Sequence, residues 1–294
     1  MKLNPLSLYK FGARMTRIMP PWLAYPLCRL VGLLLYIFNR KAQAAVRSNM
    51  RHVVGPAASE RLIGRLAQGV FVNNIKNYYD MLRLPQLDHA DIRRIVEVRG
   101  VDYALDALKQ GKGLIMISAH LGNFNIIVQA ANALGTRLSL LAEPIEPPEL
   151  YEYITDLRES QGVKLISVGG PALRQAFRAL KGGEVLGIAA DRDVTNSGEV
   201  MPFFGQPVSM PTGAIQIAQR TGAPVIPVHI YRQSDNRSVA ELYPPLDLVH
   251  SDNPAHDAAI NQRKLVTTLE RFIAATPDQW IILQPLWDDS GIKD

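Results

Sequence analysis

The chain has 294 residues, 47% of them apolar and 20% charged, so it can bury a sizeable core and is not a low-complexity or disordered polymer. Its one cysteine, Cys28, excludes an internal disulfide framework, and no cysteine cluster or close histidine pair offers a metal site. The net charge of +5 is one-sided: residues 1–59 carry nine Lys or Arg and no acid, the first acid is Glu60, and the remaining chain holds 23 basic against 27 acidic residues.

The basic N-terminal stretch is also apolar and aromatic. Pro21–Leu27 and Leu30–Phe38 form two runs separated at Arg29. The second is nine residues long, against the ~20 that a spanning helix needs. Phe38-Asn39-Arg40-Lys41 is a poor signal-peptide cleavage site. Two readings stay open: a helix lying in a membrane interface against anionic lipid, or a core helix with a basic outer face. Nucleic-acid binding is disfavoured, because the basic residues are dispersed among aliphatics and no binding motif accompanies them.

From Ser59 to Arg83, Leu62, Leu66, Val70, Phe71, Ile75 and Tyr78/Tyr79 recur at helical spacing. Val96–Val101 reads as a short strand or turn, and Tyr103–Lys109 as a helix stopped by Gly111-Lys112-Gly113. Strands are expected at Leu114–Ala119, Leu138–Ala142, Lys164–Ser167, Val185–Ala190, Val225–Tyr231 and Ile281–Leu283, with Ala240–Leu246 at a sheet edge. Helices are expected at Asn123–Leu134, Pro148–Gln161, Pro171–Lys181, Thr212–Thr221 and Ala255–Ala275. This alternation predicts an α/β fold: a central, mostly parallel or mixed sheet flanked by helices. No linker is visible, so 1–294 is read as one domain, with a helical N-terminal region over 1–58 and an α/β core over 59–294.

Several chemistries lack their motifs. There is no Gly-x-Ser-x-Gly elbow, no phosphate loop and no Gly-x-Gly-x-x-Gly after a strand. Direct attack by a substrate hydroxyl, assisted by a base, fits what remains. The strand Leu114–Ala119 runs into His120-Leu-Gly-Asn-Phe-Asn125, at the strand end where open α/β sheets place ligands and catalytic groups. A neutral imidazole there can take a proton, given a partner that fixes its tautomer. Asn125, at the first turn of the next helix, is the expected partner; Glu143 or Asp191 are alternatives. Taken alone, His120 can equally be structural. Asp191-Arg192-Asp193 lies at another strand end, as an active cluster or a solvated turn, and Met201–Pro207 reads as a compact aromatic loop.

In order and spacing these segments resemble the bacterial lysophospholipid acyltransferases that include the late acyltransferases of lipid A and the phosphatidylinositol mannoside acyltransferases. The segments are Arg47-Ser-Asn49-Met-Arg51, Ser118-Ala-His120-Leu-Gly122-Asn123-Phe, Glu143-Pro144 and Asp191-Arg-Asp193 with Phe203-Phe204-Gly205. Pro211-Thr-Gly213, Thr221-Gly-Ala-Pro224 and Pro277-Asp-Gln-Trp280 leading to Gln284-Pro-Leu-Trp287 complete them. Asp-Arg-Asp and the Gln-Trp ending look more like the mannoside-acylating branch.

The resemblance implies transfer of a fatty acyl group from coenzyme A or acyl carrier protein to a hydroxyl of a glycolipid or lysophospholipid. It implies no cofactor beyond that donor, and work at an anionic membrane surface, the cytoplasmic face of a bacterial inner membrane. The family signature is His-x-x-x-x-Asp/Glu. His120 carries over as general base, and the acid position is Asn125. Glu143 and Arg158 fall where the mannoside-acylating branch lines its cleft, Asp191 and Arg192 are expected to bind head groups or donor phosphates, and Glu199 is matched to a further acid. The Asn motivates a competing reading, a lipid-binding relative that has lost catalysis. A third option, an acyl-thioester hydrolase, predicts release of free fatty acid without acceptor.

Overall fold

The computed structural model describes residues 4–130, 137–160 and 162–287. Four helices come first: α1 (Pro5–Ile18), α2 (Pro21–Phe38), α3 (Arg40–Val54) and α4 (Glu60–Arg83). Their starts are written locally. Asn4, Asn39 and Ser59 each accept a bond from a backbone N–H of the first turn, and Pro21 opens α2 where no N–H donor is needed. The two apolar N-terminal runs form one continuous 18-residue helix, with Arg29 within it. By length and composition alone, α2 is long and apolar enough to cross a membrane. Ala24, Cys28, Gly32 and Tyr36, spaced four apart, form its buried stripe. A Cβ on Gly32 would lie 2.7 Å from the Val72 Cα, so glycine is what lets α2 approach the α4 backbone.

After α5 (His89–Ile95) come β1 (Val96–Arg99), α6 (Val101–Leu108), β2 (Leu114–Ser118), α7 (Phe124–Ala130), β3 (Leu138–Ala142), α8 (Pro148–Glu159), β4 (Lys164–Ser167), α9 (Ala172–Lys181) and β5 (Val185–Ala189). The hairpin β6 (Glu199–Phe203) and β7 (Gln206–Met210) follows, then α10 (Gly213–Thr221), β8 (Val225–Arg232), β9 (Ser238–Leu242) and α11 (Pro254–Ala275). Seven strands form one sheet in the order β1-β9-β8-β2-β5-β3-β4, parallel except between β8 and β9, with helices packed around it. β2 and β5 are continuous apolar runs, as expected of central strands covered on both faces.

Three expectations change. Ile281–Leu283 is not a strand: the Ile281 N–H donates to the His120 carbonyl, and only Leu121 and Trp280 form an isolated bridge. The strand expected at an edge over Ala240–Leu246 is β9, which lies inside the sheet between β8 and β1, so β1 takes the edge. Met201–Pro207, expected as a loop, is mostly strand: it is the end of the β6–β7 hairpin, with only Phe204 and Gly205 in the turn. Residues 131–134 of the helix expected over Asn123–Leu134, and Gln161 of the one over Pro148–Gln161, lie outside the described residues.

Candidate active site

The strand order builds the site. β2 and β5 are parallel neighbours, with Ser118 opposite Ala189. Two residues further on, each chain leaves the sheet at its C-terminal end, which sets His120 beside Asp191. The His120 Nδ1 is 2.8 Å from one carboxylate oxygen of Asp191, and the His120 backbone N–H donates to the other at 3.0 Å. That second oxygen also accepts from the Trp280 indole at 2.7 Å. Asp191 and Trp280 are fully buried. Burial pushes the Asp191 pKa up, but the charge of His120 and the bonds from His120 and Trp280 outweigh it and hold the carboxyl below its ordinary range. An ionised Asp191 accepts only, so Nδ1 carries a proton, and in the neutral imidazole the lone pair is on Nε2.

The loop after His120 is held from both sides. Gly122 adopts φ +54°, and a Cβ there would collide with the Ile230 carbonyl at 2.7 Å. Its own carbonyl accepts from Asn77 at 2.5 Å, and its N–H donates to the Gln279 carbonyl at 3.0 Å. Next to it, Asn123 donates to Asp80 at 2.8 Å. Asp80 also binds Arg232 at 2.7 Å and accepts from the Tyr25 hydroxyl at 2.9 Å. The Asp80 and Arg232 side chains are each 3% exposed, so this ion pair is buried and fully dependent on its partners. It ties α2, α4 and β8 to the histidine loop.

His120 opens onto a cleft of about 340 Å³ that Tyr9, Tyr78, Asn125, Glu143, Tyr151, Arg158, Arg192 and Gln284 also line. Arg192 forms an ion pair with Glu143 and donates to the Gln284 side chain at 2.8 Å. The Asn125 side-chain oxygen accepts from Arg158 Nε at 3.0 Å. The expected pairing of Asn125 with His120 is therefore corrected: position 125 faces Arg158, and the group on the imidazole is Asp191. Asp191 is corrected in turn, since a fully buried carboxylate spent on His120 and Trp280 is not placed to contact a head group. Glu199 lies exposed at the start of β6, opposite Met210, and does not line the cleft. Glu143, Arg158 and Arg192 do line it.

Beside the cleft, an apolar cavity of about 140 Å³ lies between the sheet and α7. Met116, Ile127, Leu138, Ile188 and Val228 contribute to its wall, and it shares Phe124 and Leu140 with the cleft. The Phe124 ring meets the His120 ring edge-on at 6.0 Å between centres. Sequence reasoning did not find Tyr9, Tyr78 or Tyr151. They reach the cleft from α1, α4 and α8, and nothing local marks which tyrosine of a helix faces a site.

The family model for bacterial lipid A biosynthesis acyltransferases matches residues 3–289. A phosphatidylinositol mannoside acyltransferase of Mycolicibacterium smegmatis is 28% identical over 286 residues, covering 95% of this chain and 90% of that protein. A protein of the same name from Mycobacterium tuberculosis H37Rv is 30% identical over 217 residues, covering 71% of this chain and 66% of that protein. The chain belongs to the bacterial lipid A biosynthesis acyltransferase family.

Proposed function

We propose that this protein transfers a fatty acyl group from an acyl thioester, on coenzyme A or acyl carrier protein, to a hydroxyl of a glycolipid or lysophospholipid, with His120 as general base. The observation that carries this reading is the position of the His120–Asp191 pair, on a polar cleft that meets an apolar cavity at Phe124 and Leu140. The cavity suits an acyl chain, and the cleft suits an acceptor head group.

The acceptor hydroxyl gives its proton to Nε2 of His120 as its oxygen attacks the thioester carbon. Asp191 stabilises the imidazolium that forms. When the tetrahedral intermediate collapses, the carbon–sulfur bond breaks and the proton passes from Nε2 to the leaving thiolate. The products are the ester and a free thiol. With Asp191 on Nδ1, the missing acid at position 125 gives no reason to favour a non-catalytic lipid-binding relative.

The N-terminal helices supply the membrane contact. Phe11, Ile18, Trp22 and Phe38 are each at least 60% exposed, among Arg14, Arg17 and Arg29 on the same surface-facing helices. Tyr9 of the same α1 lines the cleft, so an acceptor held in a bilayer has a short route to His120. We place this surface on the cytoplasmic face of a bacterial inner membrane, where acyl thioesters are found.

His120→Ala tests the reading. Purified protein with long-chain acyl-CoA and a lysolipid or glycolipid acceptor should form the acylated lipid, and the variant should lose at least about 10² in rate, the scale of a positioned base. Equal turnover by both proteins would falsify the mechanism. Fatty acid released at the same rate without acceptor would make the protein a thioesterase.

A further inference from the structure

Arg158 has no carboxylate. In a chain where the His-x-x-x-x-Asp/Glu signature holds, an acid would stand where Asn125 meets this guanidinium; here the Arg158 Nε donates to a neutral amide oxygen at 3.0 Å. The other acids of the cleft region are committed elsewhere, Glu143 to Arg192 and Asp191 to His120. Among the described residues Arg158 forms no ion pair, and only its Nε has a hydrogen-bond acceptor. Tyr9, Tyr78 and Tyr151, which carry hydroxyl donors, line the same cleft as Arg158. The Tyr9 and Tyr78 rings stand edge-to-face at 5.6 Å between centres. A half-buried cation without a counter-ion, on the wall of a cleft, is open to pairing with an anion that enters it. Two terminal guanidinium nitrogens and the tyrosine hydroxyls of one cleft are a donor set that can grip an oxyanion.

We propose that Arg158 and the hydroxyls of Tyr9, Tyr78 and Tyr151 form a subsite for an oxyanion carried by the acceptor, and that Asn125 sets this specificity. The Asn125 amide holds Arg158 in place through Nε without neutralising it. An acid at 125 would pair with Arg158 and close the subsite to anions. The oxyanion belongs to the acceptor because Arg158 and His120 share one landmark. The guanidinium carbon is 5.6 Å from the Phe124 ring centre, and the His120 ring centre is 6.0 Å from it. The hydroxyl that attacks must reach His120. In a coenzyme or carrier thioester, the phosphate stands at the far end of the pantetheine arm from the reacting carbon. Phosphate and carboxylate supply the same chemistry, as a phosphorylated head group or a uronate sugar.

This inference concerns which acceptor the proposed transferase takes, and its test does not depend on turnover. The full-length protein is titrated by calorimetry with inorganic phosphate, glucuronate and glucose. Wild type and His120→Ala should bind phosphate, glucuronate or both, and the stronger of the two identifies the source. Asn125→Asp should weaken that binding at least tenfold, and Arg158→Gln should abolish it. Glucose should bind no better to wild type than to either variant. In acyl transfer, Asn125→Asp should shift the kcat/KM ratio of an anionic over a neutral lysolipid at least tenfold toward the neutral one. Absence of saturable oxyanion binding to wild type overturns the proposal. So does oxyanion binding to Asn125→Asp and Arg158→Gln that equals wild type while circular dichroism shows both folded. If transfer fails in every protein but the titrations behave as expected, the acyl-transfer reading falls and the subsite stands.

Discussion

An asparagine at position 191 would keep the size of the buried carboxylate and reverse one of its hydrogen bonds. Asp191 accepts three times, from the His120 ring, the His120 backbone and the Trp280 indole. An amide NH₂ facing Nδ1 would force that nitrogen to accept, moving the ring proton to Nε2 and removing the base. In the serine-protease template such a change costs about 10⁴ in rate. Asp191→Asn is therefore expected to lower kcat by about 10³–10⁴ with KM little changed, measured at saturating acyl donor. Stability gives an independent check with a defined sign. The folded-state pKa of Asp191 lies below the ordinary value, so its contribution is complete above the ordinary carboxylate range and is lost as pH falls through the depressed value. The melting-temperature gap between wild type and Asp191→Asn should be largest near neutral pH and shrink in acid. A gap that grows in acid contradicts this. His120 and Asp191 are each legible in the sequence as ionisable groups closing an apolar run. Their pairing is not, because it depends on β2 and β5 being neighbours although about 70 residues separate them in sequence.

Among the described elements, α2 and α4 make the most extensive helix contact, and Gly32 lets their backbones approach. A side chain there meets the Val72 Cα at 2.7 Å and its nitrogen at 2.9 Å, atoms that cannot turn aside. Gly32→Val should separate the helices at a cost of about 1–3 kcal/mol, the usual range for overpacking, read by urea denaturation. Cys28, one turn earlier on the same buried stripe, reports on the same contact. Burial pushes its thiol up to about 11, so at pH 8 the native protein should be alkylated slowly. The same Gly32→Val protein should be alkylated several-fold faster, and unchanged labelling would mean that α2 stays docked. Elements with a strong local period, such as α4 with its Leu62–Tyr79 spacing or β2 and β5 as apolar runs, were legible from sequence. Ile281–Leu283 misled because an apolar triplet next to a buried tryptophan has the composition of a strand, while its backbone partner is the single loop that carries His120. β9 reads as an edge strand because nothing in its own residues reveals that β1, about 140 residues earlier, pairs along its outer side.

For the whole molecule, charge and apolar exposure point the same way. All of the positive excess lies in residues 1–59. The large exposed apolar side chains are concentrated there too, with Trp22 76% and Phe38 77% exposed. A protein surrounded only by water has no reason to keep so many large apolar groups on one pair of helices. The arrangement suits a surface that enters the lipid interface while its arginines meet phosphate head groups. The two contributions separate by experiment. Burying a large apolar side chain is worth about 1.5–3 kcal/mol, so Trp22→Glu should lower partition into vesicles at least about tenfold whatever their charge. Each basic residue near an anionic surface contributes about 1 kcal/mol, so Arg14→Gln with Arg17→Gln should weaken binding to anionic vesicles by more than tenfold and leave neutral vesicles little affected. Wild-type binding to anionic vesicles should also weaken as salt rises from 0.01 M to 0.15 M, where the screening length falls from about 30 Å to about 8 Å. Co-sedimentation of the full chain measures all three. Salt-independent binding that Trp22→Glu leaves intact would assign the N-terminal helices to packing against protein instead, and the route from bilayer to cleft past Tyr9 would lose its basis.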